Sequence, residues 1–135
     1  EKLFPLATVI TPNIPEAEVL CGFKITNTND MEKAAKKISK ENNCNILVKG
    51  GHLTDTADDL LFANCKINWF KGIRLVTENT HGTGCTLSSA IACNLASGYS
   101  LEDSVLNAKK YITGALKSNL NLGKGNGPIN HCWNI

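Results

Sequence analysis

The strand–helix–strand pattern between Leu6 and Lys49 constrains this chain more than any other feature. Leu6-Ala7-Thr8-Val9-Ile10 and Asn45-Ile46-Leu47-Val48-Lys49 are short apolar runs rich in β-branched residues, the mark of buried strands. Between them Met31, Ala34, Ala35 and Ile38 recur at intervals of three and four, as an amphipathic helix requires. These lengths make a βαβ unit, so the two strands are expected to be parallel and covered on their faces.

The punctuation agrees with this reading. Thr11-Pro12-Asn13 closes the first strand, and Asn13 can cap a short helix with Pro15 in its first turn and Gly22 as its stop. Asn29 and Asp30 precede the second helix, and Asn42-Asn43 turns it into the second strand. Gly50-Gly51-His52 then lets the backbone turn tightly. From Thr54 to Val76 the texture changes: Asp59 to Phe62, Cys65 to Phe70 and Ile73 to Val76 are strand candidates separated by Ala63-Asn64 and Lys71-Gly72. They predict an antiparallel meander at a sheet edge.

Asn79 to Ser89 is polar and Gly-rich, and it gives way to Ala90, Ile91, Ala92, Leu95 and Ala96, the composition of a buried helix ending at Gly98. A last helix runs from Ser100 or Leu101 to about Leu120, with Val105, Ala108, Ile112 and Leu116 facing inward. The segment from Gly123 to Pro128 is loop, and Ile129 to Ile135 is a polar and aromatic tail in which Trp133, like Trp69 earlier, reads as packing.

Bulk properties exclude several classes of function. The 135 residues are one domain's worth, and 42% apolar with 19% charged residues is ordinary globular composition. A net charge of +2 gives no reason to expect nucleic acid or an anionic membrane as a partner. The six cysteines (Cys21, Cys44, Cys65, Cys85, Cys93 and Cys132) show no Cys-x-x-Cys spacing and read as free thiols in a reducing cytoplasm. No run approaches transmembrane length and no signal peptide is recognisable, while an opening on Glu1-Lys2 without Met suggests a piece of a longer chain.

Chemistry is expected where the Gly-rich turn opens its helix. Backbone N–H groups there lack intrahelical partners, with the positive end of the helix dipole behind them, which makes an anion site. The same field would favour the thiolate of Cys85. Gly82-Thr83-Gly84 can equally be a tight turn and Cys85 a small hydrophobe. Asn13 and Glu16, three apart at a helix start, can serve Mg²⁺ as hard oxygen ligands or can simply make a capping box. Lys49, a charge ending an apolar strand, needs solvent or an anion such as a nucleotide phosphate. His52 and His81, beside glycine turns, read as structural or surface residues.

Four ordered motifs resemble the hydroxymethylpyrimidine and phosphomethylpyrimidine kinases of thiamine biosynthesis, in the ribokinase-like superfamily. They are Val9 to Glu18, Leu47-Val48-Lys49-Gly50-Gly51-His52, Asn79 to Ala90, and Gly127-Pro128-Ile129-Asn130-His131. The resemblance implies an α/β, doubly wound, mostly parallel sheet flanked by helices with an antiparallel edge meander, of which residues 1–135 are the C-terminal portion of a single domain. It implies ATP and Mg²⁺, hydroxymethylpyrimidine or its monophosphate as substrate, a cytoplasmic location, and a homodimer in the full-length protein. By motif, Gly82, Thr83 and Gly84 would form the anion hole, and Cys85 would stand where sugar kinases of the superfamily have a catalytic Asp. Asn13 and Glu16 would organise Mg²⁺, while Thr11 and Lys49, with Gly82 and Gly84, would bind the nucleotide.

Family members carry an N-terminal half that surrounds the pyrimidine and is not recognisable here, so these residues alone are expected to have little kinase activity. A pyridoxal or pyridoxine kinase shares the superfamily turn and is the nearest rival. A non-catalytic nucleotide-binding module is a rival from another class, and the scattered cysteines disfavour a thiol redox protein.

Overall fold

A computed structural model describes residues 2–51, 57–72, 82–118, 120, 122, 125 and 127–134. The chain divides into two compact units, Glu1–Arg74 and Leu75–Ile135. The strand candidate from Ile73 to Val76, together with His52 and His81, lies outside the described residues.

In the first unit, β1 (Val9–Ile10), β2 (Asn45–Val48), β3 (Asp59–Ala63) and β4 (Lys66–Phe70) form a sheet in that order. β1 and β2 are parallel, with Val9 opposite Asn45, and the β2–β3 and β3–β4 pairs are antiparallel. A parallel pair thus carries the antiparallel meander that the sequence predicted. α1 (Ile14–Cys21) and α2 (Thr28–Asn42) supply the crossover between β1 and β2.

Each element starts and stops for a local reason. Gly22 ends α1 in the left-handed region at φ 77°, where glycine has no Cβ to clash. The cap of α2 is Asn27 and not the later Asn29: its Oδ1 accepts the Asp30 N–H at 3.0 Å. The hairpin between β3 and β4 turns on Asn64 and Cys65, both at positive φ (50° and 60°), one residue later than the Ala63-Asn64 break expected. Two central residues at positive φ are the requirement of a type I′ turn.

The core of this unit lies between the sheet and α2. Met31, Ala34, Ala35 and Ile38 of α2 are fully buried with Ile46, Val48 and Leu60. Side chains alternate across a strand, so Leu47 and Leu61, paired in register and also fully buried, occupy the other face. Full burial of one such large aliphatic side chain contributes about 1.5–3 kcal/mol.

The second unit is built on α3 (Thr83–Ala96) and α4 (Leu101–Lys117), which pack together. Ser100 caps α4, its hydroxyl oxygen accepting the Asp103 N–H at 3.1 Å. Val105, Ala108 and Ile112 are buried as expected, but Ala115 replaces Leu116 as the fully covered residue of the last turns. α3 departs further from expectation. Only Leu87 and Ile91 are buried, and Ala92, Cys93 and Ala96 are exposed. All six cysteines are free thiols.

Candidate active site

In the first unit, the carboxyl ends of β1 and β2 gather four of the residues singled out from sequence. Pro12 has no N–H to donate, so the ladder lapses there. It resumes one residue on, where the Lys49 N–H donates to the Pro12 carbonyl at 2.9 Å. This parallel bridge sets Asn13 opposite Lys49, whose side chain is half-buried. The chain then turns directly into α1.

Asn13 and Glu16 form a reciprocal capping box. The Glu16 N–H donates to Asn13 Oδ1 at 2.8 Å, and the Asn13 N–H donates to Glu16 Oε2 at 2.7 Å. Glu16 Oε1 takes no hydrogen bond among the described residues. Thr11 and Glu16 also line a cavity of about 460 Å³ with Phe4, Ile10 and Leu20. Asn13, Glu16, Thr11 and Lys49 therefore share one corner of the sheet.

After β2 the backbone turns at Gly50, and here glycine is obligatory. A Cβ at this position would overlap the Asp58 carbonyl. The Gly50 N–H donates to Asp59 Oδ1 at 2.9 Å, which ties the turn after β2 to the start of β3.

In the second unit, Gly82 sits at φ 85° and opens α3 without a side-chain cap. The first main-chain bond of the helix runs from the Thr86 N–H to the Gly82 carbonyl at 2.9 Å. The N–H groups of the preceding turn, at Thr83, Gly84 and Cys85, have no carbonyl within the helix to bond. Cys85 is exposed at this turn. Gly82 to Cys85, where the sequence placed an anion site, thus form the opening turn of α3. Among the described residues no group of three or more His, Cys, Asp or Glu side chains could hold a metal ion alone.

Sequence reasoning gave no role to His131. In the structure it lines a cavity of about 510 Å³ together with Cys85. It closes the Gly127-to-His131 motif, but its setting was not legible because Tyr111, which holds it, lies twenty residues away in sequence.

Comparison with known proteins places the chain. Residues 1–130 match the family model described as phosphomethylpyrimidine kinase. The hydroxymethylpyrimidine/phosphomethylpyrimidine kinase of Streptomyces coelicolor is 43% identical over 132 residues, covering 98% of this chain and 49% of that protein. Among solved structures, an ADP complex of Bacillus subtilis pyridoxal kinase matches with a TM-score of 0.89 at 37% identity, over 97% of this chain and 52% of that one. The phosphomethylpyrimidine kinase of Clostridium difficile matches with a TM-score of 0.70 at 42% identity, over 82% of this chain and 44% of that one. The chain spans about half the length of these relatives. Its elements follow those of the ribokinase-like kinases, and it belongs to the phosphomethylpyrimidine kinase family.

Proposed function

We propose that the full-length protein containing these residues uses ATP to phosphorylate hydroxymethylpyrimidine and then its monophosphate, on the route to thiamine diphosphate. The observation that carries this reading is the opening of α3, where N–H groups outside the helical ladder lie beside an exposed thiol. Membership of the family supports it, as does the bound ADP of the Bacillus relative.

Phosphoryl transfer spreads negative charge over the equatorial oxygens while a hydroxyl attacks in line, so placement and fixed donors supply most of the rate. Gly82, Thr83 and Gly84 are assigned to that charge. Cys85 Sγ is assigned as the base that takes the proton of the substrate hydroxyl while the new oxygen–phosphorus bond forms and the bond to the bridging oxygen of ADP breaks. Lys49 and Thr11 are assigned to the nucleotide.

Mg²⁺, when bound, neutralises phosphate oxygens. The donor set at Asn13 and Glu16 fits it: one carboxylate with an oxygen not used by the capping box, beside a side-chain amide. Mg²⁺ commonly takes one or two carboxylates and completes its shell with water and phosphate. The full-length enzyme is further proposed to be a cytoplasmic homodimer. No described helix is long and apolar enough to cross a membrane.

Pyridoxal phosphorylation is the second reading, favoured by the closer superposition on pyridoxal kinase, with a TM-score of 0.89 against 0.70. The deciding experiment gives full-length protein hydroxymethylpyrimidine, its monophosphate and pyridoxal, with Cys85→Ala in parallel. The pyrimidines are expected as preferred substrates, and Cys85→Ala is expected to lose on the order of 10²–10⁴ in kcat with ATP binding retained. A preference for pyridoxal selects the second reading, near-normal turnover by Cys85→Ala removes the assigned base, and nucleotide binding without turnover of any alcohol leaves a binding module.

A further inference from the structure

The second unit holds the cavity of about 510 Å³ that runs from the first turn of α3 and is lined by Cys85, Thr86, Ser89, Cys93, Tyr111 and His131. Positions 85, 89 and 93 are four apart and form one stripe, about 12 Å long at 1.5 Å per residue. The volume lies within the roughly 300–1,000 Å³ typical of small-molecule sites. Along α3 this wall is thiol, hydroxyl and methyl, which suits a flat ring. Its lining also carries the imidazole of His131.

That imidazole is held in place by two contacts of the tail with α4. The Tyr111 hydroxyl donates to the main-chain carbonyl of His131 at 2.9 Å, and the same hydroxyl oxygen lies 3.4 Å from His131 Nδ1. A hydroxyl has one proton, and the shorter bond uses it. The contact with Nδ1 is then made by an Nδ1–H donor, and in that tautomer Nε2 is the acceptor. Two residues on, the indole of Trp133 covers Gly114 so closely that a Cβ there would overlap it, and its ring stands 6.2 Å from that of Tyr111 at 56°. The tail is thus seated on α4 by Trp133 and tied by Tyr111.

We infer that His131 is a ligand-binding residue: its Nε2 accepts a hydrogen bond from the amino-bearing edge of a pyrimidine-type ring seated in this cavity, with Trp133 and Gly114 as positioning residues. The inference rests on the kinase reading above. Two reactants present such an edge, the adenine of ATP and the ring of hydroxymethylpyrimidine. Pyridoxal has no amino group.

The test uses the full-length protein and measures KM and kcat separately for ATP, hydroxymethylpyrimidine and pyridoxal in His131→Ala, His131→Gln and Gly114→Ala. Loss of one hydrogen bond is expected to raise KM about tenfold in His131→Ala with kcat within about twofold, and His131→Gln, which keeps an acceptor, is expected to recover part of it. A rise for ATP with every alcohol assigns the edge to adenine. A rise for hydroxymethylpyrimidine alone assigns it to the substrate. Gly114→Ala, which displaces the indole, is expected to give a smaller KM effect in the same column. If wild-type turnover is robust and His131→Ala leaves all three KM values within about twofold, the inference falls and the kinase reading stands.

If wild type phosphorylates none of the alcohols, the kinase reading falls, and the cavity is read by alkylation instead. Iodoacetamide modification of Cys93, followed by peptide mass mapping, is expected to slow with ATP or hydroxymethylpyrimidine, and to need about tenfold more ligand in His131→Ala. Absence of any such protection overturns the inference.

Discussion

Asn13 and Glu16 hold each other twice, each giving its backbone N–H to the other's side chain, at 2.7 and 2.8 Å. A pair engaged in this way is already part of the scaffold, and any role toward Mg²⁺ must use what the box leaves over. The two contributions separate by substitution. Asn13→Ala removes the cap and is expected to cost about 1 kcal/mol, or roughly 3 °C in melting temperature. Glu16→Gln keeps an acceptor for the Asn13 N–H and is expected to stay within about 0.5 kcal/mol of the parent. If Glu16 organises Mg²⁺, that same variant needs several-fold more of the ion for half-maximal turnover. A Mg²⁺ titration beside a thermal melt checks both halves, and an unchanged titration withdraws Glu16 from the metal.

Cys65 occupies the second central position of the β3–β4 turn at φ 60°, in the left-handed region that glycine tolerates and other residues enter at a cost. Asn64 precedes it at φ 50°, so Cys65→Gly produces the Asn-Gly pair that type I′ hairpins favour. The substitution is expected to raise stability by up to about 1 kcal/mol, the relief of the left-handed side chain being partly offset by the greater freedom of glycine when unfolded. Urea denaturation monitored by circular dichroism gives the difference, and a loss of stability would show that the cysteine packs in a way that repays its strain.

Two carboxylates give the fold an acid-sensitive element of known sign. Glu18 accepts from Lys24 Nζ at 2.7 Å and from the Ile25 N–H at 2.9 Å, and these bonds, that to Lys24 above all, hold its carboxyl below the ordinary 4.5. Asp30 is held below its ordinary 3.8, first by the Thr26 hydroxyl and then by the Thr26 N–H. A carboxyl depressed in the folded state contributes stability above its unfolded value and loses it as pH falls through the lower, folded one. The urea midpoint is therefore expected to decline from about pH 4.5 downward. Glu18→Gln should flatten that decline, and an identical slope in the variant would detach Glu18 from it.

Much of the first unit was legible because its signals are local. Asn13, Gly22 and Asn43 mark helix ends by what their own backbones can adopt, and the α2 stripe of Met31, Ala34, Ala35 and Ile38 is buried as its period demands. The start of α2 was placed late because Asn27 and Asn29 are chemically alike as caps, and only φ and ψ distinguish them. The breadth of burial on α3 was misread for a different reason. Alanine and cysteine are small enough to be compatible with either environment, so composition carries little information about which face of that helix is covered.

The candidate site divides along the same line. Gly82 to Cys85 was visible because a turn that opens a helix is encoded in consecutive residues, and the positive φ of Gly82 fulfils it. A role for His131 was not visible beyond its place at the end of a motif, since its setting depends on Tyr111 and on the fit of Trp133 against Gly114, contacts that no window of sequence contains.

Pro12 carries no acid, base or nucleophile, yet it decides where the sheet hands over to its first helix. The hydrogen its nitrogen lacks leaves a gap in the ladder to β2, and pairing returns only for the single bridge between Asn13 and Lys49 before α1 begins to coil. The address of this corner is therefore written by an omission, and restoring an amide proton at that one position would invite the strands to keep running together past the point where function is expected.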